Sequence, residues 1–139
     1  MVQGAGIREF ILHDIAHFGI RASVGIIFIF HGTSKINPGF GGFLNSVGVP
    51  LEMQLPLAIA ETLGGSLLII GILSRISSSV LSMIMLSVIF YIKKAHSLSG
   101  QMGVELELLL LATNLSIIVI GPGRISVSHM VKQIPRFLQ

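Results

Sequence analysis

Residues 55–92 read LPLAIAETLGGSLLIIGILSRISSSVLSMIMLSVIFYI and carry only two charged side chains, Glu61 and Arg75. A turn at Arg75 divides this stretch into two apolar runs, at 55–73 and 76–92. Each run approaches the ~20 residues that an α-helix needs to cross ~30 Å of hydrocarbon. Because backbone polar groups inside a bilayer must be paired within the protein, the two runs predict a hairpin of transmembrane helices.

Two further apolar runs flank this hairpin. One ends at the Gly- and Pro-rich stretch after Ile36, and the other ends at Gly121-Pro122-Gly123, where glycine and proline are expected to stop a helix. We therefore predict an all-α integral membrane protein, a single domain over residues 1–139 that folds as a four-helix bundle. The predicted spans lie at about 18–36, 55–73, 76–92 and 104–120.

Short amphipathic segments are expected before and after these spans. Apolar residues recur at helical spacing between Ile7 and Phe18, with charged residues between them, which is typical of a helix at the membrane surface. Residues 125–139 show the pattern more weakly because Pro135 interrupts them.

The composition excludes most other classes of protein. Hydrophobic residues make up 52% of the chain and charged residues only 11%, against about 25% charged residues in soluble domains. The net charge of +3 comes from scattered basic residues, which favours membrane anchoring over nucleic-acid binding. Because the chain has no cysteine, it cannot itself form disulfides, thiolate metal sites or cysteine-bound clusters. No metal site and no intrinsic cofactor are predicted.

The basic residues also predict an orientation. With four spans, both termini and the turn at Arg75 share one side of the membrane, and the two remaining connections share the other. The first side carries Arg8, Arg21, Arg75, Arg124, Lys132 and Arg136, and the second carries Lys35, Lys93 and Lys94. Because basic residues are enriched on the cytoplasmic side, we predict a multi-pass protein of the cell membrane with both termini in the cytoplasm.

Several polar residues converge at the predicted outer side. His31 and Lys35 lie one turn apart on the first span, and Glu61 lies about two turns into the second. Glu105 and Glu107 begin the fourth span on different faces, so at most one of them points inward. A charge inside a bilayer is costly and is normally paired. We predict a ligand-binding pocket open to the outer face and formed by His31, Lys35, Glu61 and Glu105.

Other interpretations of the same residues stay open. Glu61 and Lys35 can form a structural ion pair that only sets the register of two helices. Glu61 and His31 can act as a relay in a small transporter or proton pathway. The chain has no phosphate-binding loop, HExxH pair or nucleophile elbow, so no self-contained catalytic motif is recognised and catalytic residues remain unassigned.

The connection at 37–54 is long for a loop between two spans. It contains Phe40, Phe43, Leu44, Val47 and Val49. We expect these apolar side chains to fold back as a lid over the spans or to enter the membrane interface.

Three motifs follow one another along the chain: Phe30-His31-Gly32-x-x-Lys35, then Glu61-x-x-Gly64-Gly65 with Leu67, Leu68, Gly71 and Arg75 after it, then Gly121-Pro122-Gly123-Arg124-x-Ser126. In this order, and at these helix ends, they resemble the DoxX family over roughly residues 21–126. The family pattern often has an acidic residue two positions after Ser126, where this chain has Ser128.

The resemblance implies a small membrane subunit linked to quinol oxidase or to thiosulfate:quinone oxidoreductase. It implies an accessory role in a quinone-linked respiratory or sulfur-oxidising complex, with quinone as the cofactor and other membrane subunits and the lipid bilayer as partners. The chain is then at most one subunit of a quinone-dependent oxidoreductase. The alternatives are a stand-alone transporter or proton pathway and a purely structural assembly subunit.

Overall fold

The computed structural model describes residues 11–101 and 103–130, and no β-strand occurs in these two ranges. Six α-helices follow in order: α1 Ile11–Ser34, α2 Pro38–Ser46, α3 Gln54–Ile70, α4 Ser74–Ser87, α5 Glu105–Ile120 and α6 Val127–Met130. A 3₁₀ turn at Leu51–Met53 leads into α3, and a π-helical turn at Val88–Ile92 extends α4. The predicted all-α class is confirmed. Of the predicted amphipathic segments, residues 7–10 and 131–139 lie outside the described residues.

Three of the described helices are long and apolar enough to cross a membrane, namely Ile11–Ser34, Leu51–Ile70 and Ser74–Ile92. They correspond to the first three predicted spans, although the first begins seven residues earlier than predicted. The fourth predicted span, 104–120, corresponds to α5. This helix has 16 residues and is therefore ~24 Å long at 1.5 Å per residue.

The helices pack as two pairs, α1 with α3 and α4 with α5, and α3 and α4 join the pairs through a tight turn. Glycines bring the backbones of α1 and α3 into contact. A Cβ atom added to Gly25 would lie 2.5 Å from the carbonyl oxygen of Gly65, and one added to Gly32 would lie 2.7 Å from that of Ala58. Small residues at such crossings are the usual means of close packing between membrane helices.

A buried apolar core connects the two pairs at mid-height. Its wholly buried members come from α1, α3 and α4, and they are Phe28, Leu68 and Leu81. Leu110 and Ile117 complete it from α5. The core separates two ends of the molecule, which we name the Lys35 end and the Arg21 end after the basic residues of α1 that lie there.

Arg21 is wholly buried and is not a surface anchor. Its guanidinium donates hydrogen bonds to the carbonyl oxygens of Leu68, at 3.0 Å, and of Ile125. Because Ile125 follows the Gly121-Pro122-Gly123 stop, Arg21 holds the chain after α5 against α1 and α3. A residue counted from the sequence among the flanking positive charges therefore forms part of the interior.

Helix α2 covers the Lys35 end. The Asn37 side chain accepts a hydrogen bond from the Gly39 N–H at 3.0 Å, and Pro38 occupies the first turn, a common arrangement at helix starts. Leu44 is wholly buried, and the Gln54 side chain donates to the carbonyl oxygen of Lys35 at 2.7 Å. Of the five apolar side chains predicted to fold back over the spans, Leu44 is wholly buried, Phe40, Val47 and Val49 are partly buried, and Phe43 is exposed.

Candidate functional site

A cavity of about 570 Å³ lies between the two helix pairs at the Lys35 end. Its walls are mainly apolar, with Phe40 and Leu44 from α2, Leu57 from α3, and Val80 and Ile84 from α4 among them. Its polar lining includes His31, Lys35, Glu61, Tyr91, Lys93 and Glu107. An apolar chamber with a few convergent polar groups is the usual form of a small-molecule site.

The first polar feature is the ion pair of Lys35 with Glu61. The Lys35 Nζ atom lies 2.5 Å from Glu61 Oε2, and the Glu61 side chain is wholly buried while that of Lys35 is 15% exposed. Lys35 also donates to the carbonyl oxygen of His31 at 3.3 Å and lies 5.5 Å from the centre of the Phe40 ring. The second carboxylate oxygen, Glu61 Oε1, has no hydrogen-bond partner within residues 11–101 and 103–130.

The second polar feature is the ion pair of Lys93 with Glu107. The Lys93 Nζ atom lies 2.8 Å from Oε1 and 2.9 Å from Oε2 of Glu107, and it donates to the carbonyl oxygen of Gly103 at 2.6 Å. Lys93 ends the π-helical turn, where its N–H donates to the carbonyl oxygen of Val88. A π-helical turn changes the direction in which the following side chains point, and such turns are frequent at functional sites.

His31 lies in the same cavity as both pairs. Its side chain is partly buried and lines the cavity together with Lys35, Glu61, Lys93 and Glu107. The cavity thus offers two ammonium donors, two carboxylates and one imidazole that can donate or accept. Because the two pairs are neutral in sum, this arrangement suits an uncharged, largely apolar ligand that carries oxygen atoms.

Three of the four residues predicted as ligand-binding come together, and one does not. His31, Lys35 and Glu61 line the cavity, whereas Glu105 is exposed at the start of α5 and does not line it. Glu107 takes the inward position because it falls on the buried face of α5. Two residues at 100° each turn Glu105 about 200° away from that face.

Sequence reasoning missed Lys93 and Glu107 as members of the site. A signal for Glu107 exists in the sequence, because Asn114 lies seven residues, or two turns, after it. A polar side chain in the middle of an apolar span is expected to face the protein, and Asn114 is wholly buried. No comparable signal marks Lys93, whose direction depends on the π-helical turn before it.

No group of three or more His, Asp or Glu side chains that could hold a metal ion occurs in the described part of the chain.

Comparison with known proteins agrees with the motifs. The family model named DoxX matches residues 16–94, a stretch that contains His31, Lys35, Glu61 and Lys93. The chain is also similar to a Bacillus subtilis (strain 168) protein named "Putative oxidoreductase CatD", with 31% identity over 111 residues that cover 78% of this chain and 81% of the relative. No solved structure matches significantly. Together with its long apolar helices, these similarities show that this chain is a membrane protein belonging to the DoxX family.

Proposed function

We propose that this chain is a membrane subunit of a quinone-linked oxidoreductase complex and that it holds a quinone, or the corresponding quinol, in the cavity at the Lys35 end. The proposal rests on two Lys–Glu ion pairs that line one apolar cavity. It rests also on the buried Glu61 Oε1 atom, which has no hydrogen-bond partner among the described residues.

The polar groups match both redox forms of such a ligand. The carbonyl oxygens of a quinone accept hydrogen bonds, which the ammonium groups of Lys35 and Lys93 can donate. The hydroxyl groups of a quinol donate hydrogen bonds, and Glu61 Oε1 can accept one. The apolar walls suit the ring and exclude water from it.

A bound quinone supplies two-electron, two-proton redox chemistry. In this proposal, Glu61 and Glu107 hold protons next to the ligand oxygens, and His31 provides a third group that can exchange a proton.

A partner subunit completes the electron path in this proposal. The chain contains no cysteine, so a thiol pair or a cysteine-bound iron–sulfur cluster has to come from another protein. The printed name of the Bacillus subtilis relative supports an oxidoreductase role, and the resemblance of the motifs to quinone-linked subunits supports the class of complex.

We further propose that α5 is a fourth span and that both termini lie in the cytoplasm of a cell-membrane protein. Lys93 at one end of the α4 segment pairs with Glu107, and a Cβ atom at Gly121 would lie 3.5 Å from the side chain of Arg75 at the other end. Helix α5 therefore runs beside α4 over nearly its whole length. The excess of basic residues supports the orientation.

Tyr91 makes the binding proposal directly testable. It is the only tyrosine, the chain has no tryptophan, and Tyr91 lines the cavity. Titration of the protein in detergent with decylubiquinone should quench the tyrosine fluorescence saturably, and decylbenzene, which has no oxygens, should not compete. Quenching that rises linearly with quinone and never saturates would contradict the proposal.

A second candidate function, a proton pathway, is favoured by the serines of α4. The hydroxyl groups of Ser74, Ser78 and Ser82 are buried and bond to no described residue, whereas the exposed Ser79 and Ser87 donate to carbonyl oxygens one turn earlier. Such a stripe can support a proton-conducting chain of waters. Liposomes that contain the protein should then acidify faster than empty liposomes under a pH gradient, and Ser78→Ala should slow this where Ser79→Ala does not.

A further inference from the structure

The side wall of the cavity is open at the middle of the membrane-spanning part of α4. Met83 lines the cavity, yet its side chain is 68% exposed. It lies nine residues from each end of the Ser74–Ile92 segment, or ~14 Å along the helix axis. An exposed side chain at that depth meets the acyl chains of lipids and not water.

The opening runs between α3 and α4. Val80 lies one turn before Met83 on the same face of α4 and is also exposed while lining the cavity. The two helices are in contact at the height of Leu81, because a Cβ atom at Gly64 would lie 3.2 Å from the side chain of Leu81. On the Lys35 side of this contact, Glu61 of α3 and Met83 of α4 both line the cavity.

Helix α2 covers the Lys35 end of the cavity only in part, because Phe43, Met53 and Tyr91 line the cavity there and are exposed. Leu44 of α2 is wholly buried. Gln54 donates to the carbonyl oxygens of Lys35 and Asn37, at 2.7 and 3.2 Å, and so ties the start of α3 to the chain that leads into α2.

We propose that the cavity is entered sideways from the lipid, through the opening at Val80 and Met83, and that its ligand is a long-tailed quinone whose tail stays in the bilayer. This inference rests on the proposed function and adds to it the route of entry and the tail. The polar head then reaches Lys35 and Glu61 at the back of the cavity, while an apolar tail leaves past Met83 without entering water.

Bulky side chains at the opening test the route. In the variant Val80→Phe/Met83→Phe, decylubiquinone should bind at least about ten-fold more weakly because its tail no longer fits through the opening. The tail-free parent quinone should bind within about two-fold of its affinity for the unaltered protein, since its head fits inside. Affinity is measured from the quenching of Tyr91 fluorescence, with the protein in lipid nanodiscs.

The matched control is Leu109→Phe/Leu115→Phe on α5. Leu109 is 65% exposed, close to the value for Met83, and neither control residue lines the cavity. This variant should bind both quinones like the unaltered protein. A uniform loss of both quinones in the Val80/Met83 variant, or no loss of either, overturns the lateral route while leaving the proposed function in place. If the unaltered protein binds neither quinone, the proposed function and the lateral route are both wrong.

Discussion

The carboxylate of Glu61 contacts Lys35 through only one of its two oxygens. Oε2 lies 2.5 Å from Lys35 Nζ, whereas Oε1 accepts no hydrogen bond from the described residues although the side chain is wholly buried. A buried carboxylate oxygen without a donor is costly. A purely structural pair would be expected to satisfy both oxygens, so this geometry favours a ligand-facing role.

The contact between α1 and α3 should tolerate no added side chain. We expect Gly25→Ala to lower the free energy of unfolding by ~1–3 kcal/mol, because its Cβ atom would lie 2.5 Å from the carbonyl oxygen of Gly65 and force the helices apart. Gly19→Ala, on the same helix, meets no atom within 4 Å and should be neutral or slightly stabilising. Thermal unfolding in detergent, followed by circular dichroism, compares the two. Equal stability of both variants would contradict the close packing described for Gly25.

Arg21 should matter far more for stability than Arg124. Arg21→Met removes two hydrogen bonds to backbone carbonyls that hold the chain after α5, and buried carbonyls left unpaired cost ~1–3 kcal/mol each. Among the described residues, Arg124 forms an ion pair with Asp14 at 3.7 Å in which the arginine side chain is exposed, and surface pairs contribute ~0–1 kcal/mol. We expect a clear fall in unfolding temperature and faster proteolysis after residue 121 for Arg21→Met alone. Similar behaviour of Arg124→Met would argue against a special role for the buried guanidinium.

Much of the fold could be predicted because long apolar runs leave few alternatives. The run around Glu61 had to be a helix, since no other structure satisfies its backbone inside lipid. Helix α2 was not predicted, because its glycines have low helix propensity. Its start signal, Asn37 followed by Pro38, is visible in the sequence, but its stability comes from packing over the cavity.

The candidate site could be predicted only in part, for a geometric reason. His31, Lys35 and Glu61 lie on regular helices, where spacing determines the face. Lys93 follows a π-helical turn that forms against α5, and a sequence pattern does not show how far such a turn rotates the next residue. The choice between Glu105 and Glu107 required the buried face of α5, which Leu110 and Asn114 define.

Glu105 and Glu107 provide an internal comparison for the site. We expect Glu107→Gln to weaken quinone binding by about ten-fold and to destabilise the protein, because it leaves Lys93 without its bidentate partner in a partly buried position. Glu105→Gln removes the same charge from the same helical turn but from an exposed side chain. It should change quinone affinity by no more than about two-fold and leave the stability unchanged. Tyr91 fluorescence titration measures both variants. A larger effect from Glu105→Gln would support Glu105, the residue predicted from the sequence, as the member of the site.

The proposed orientation can be read by labelling single cysteines, since the chain has none of its own. A cysteine at Ser46, which is exposed at the end of α2, should react with an impermeant maleimide in intact cells. One at Met130, whose side chain is 83% exposed, should react only after the membrane is permeabilised. Ser128 is unsuitable for this purpose because it is buried. The reverse pattern would place the Lys35 end on the cytoplasmic side.

The variants of Lys35 and Glu61 decide whether the pair is a site or a scaffold. Lys35→Met alone, or Glu61→Gln alone, breaks a buried pair and should destabilise the protein by ~3–5 kcal/mol, because the remaining polar group loses its partner. The double variant Lys35→Met/Glu61→Gln should recover most of that stability, since no unpaired charge remains.

For a scaffold, the recovered protein should also bind quinone and assemble as the unaltered protein does. For a ligand site, it should unfold near the normal temperature but fail to bind, because the ammonium donor and the free carboxylate oxygen are both gone. His31→Gln should then weaken binding at unchanged stability, since its ring takes part in none of the ion pairs formed by residues 11–101 and 103–130. Full binding by the double variant would assign the pair to helix register alone and remove the chemical basis for a quinone site.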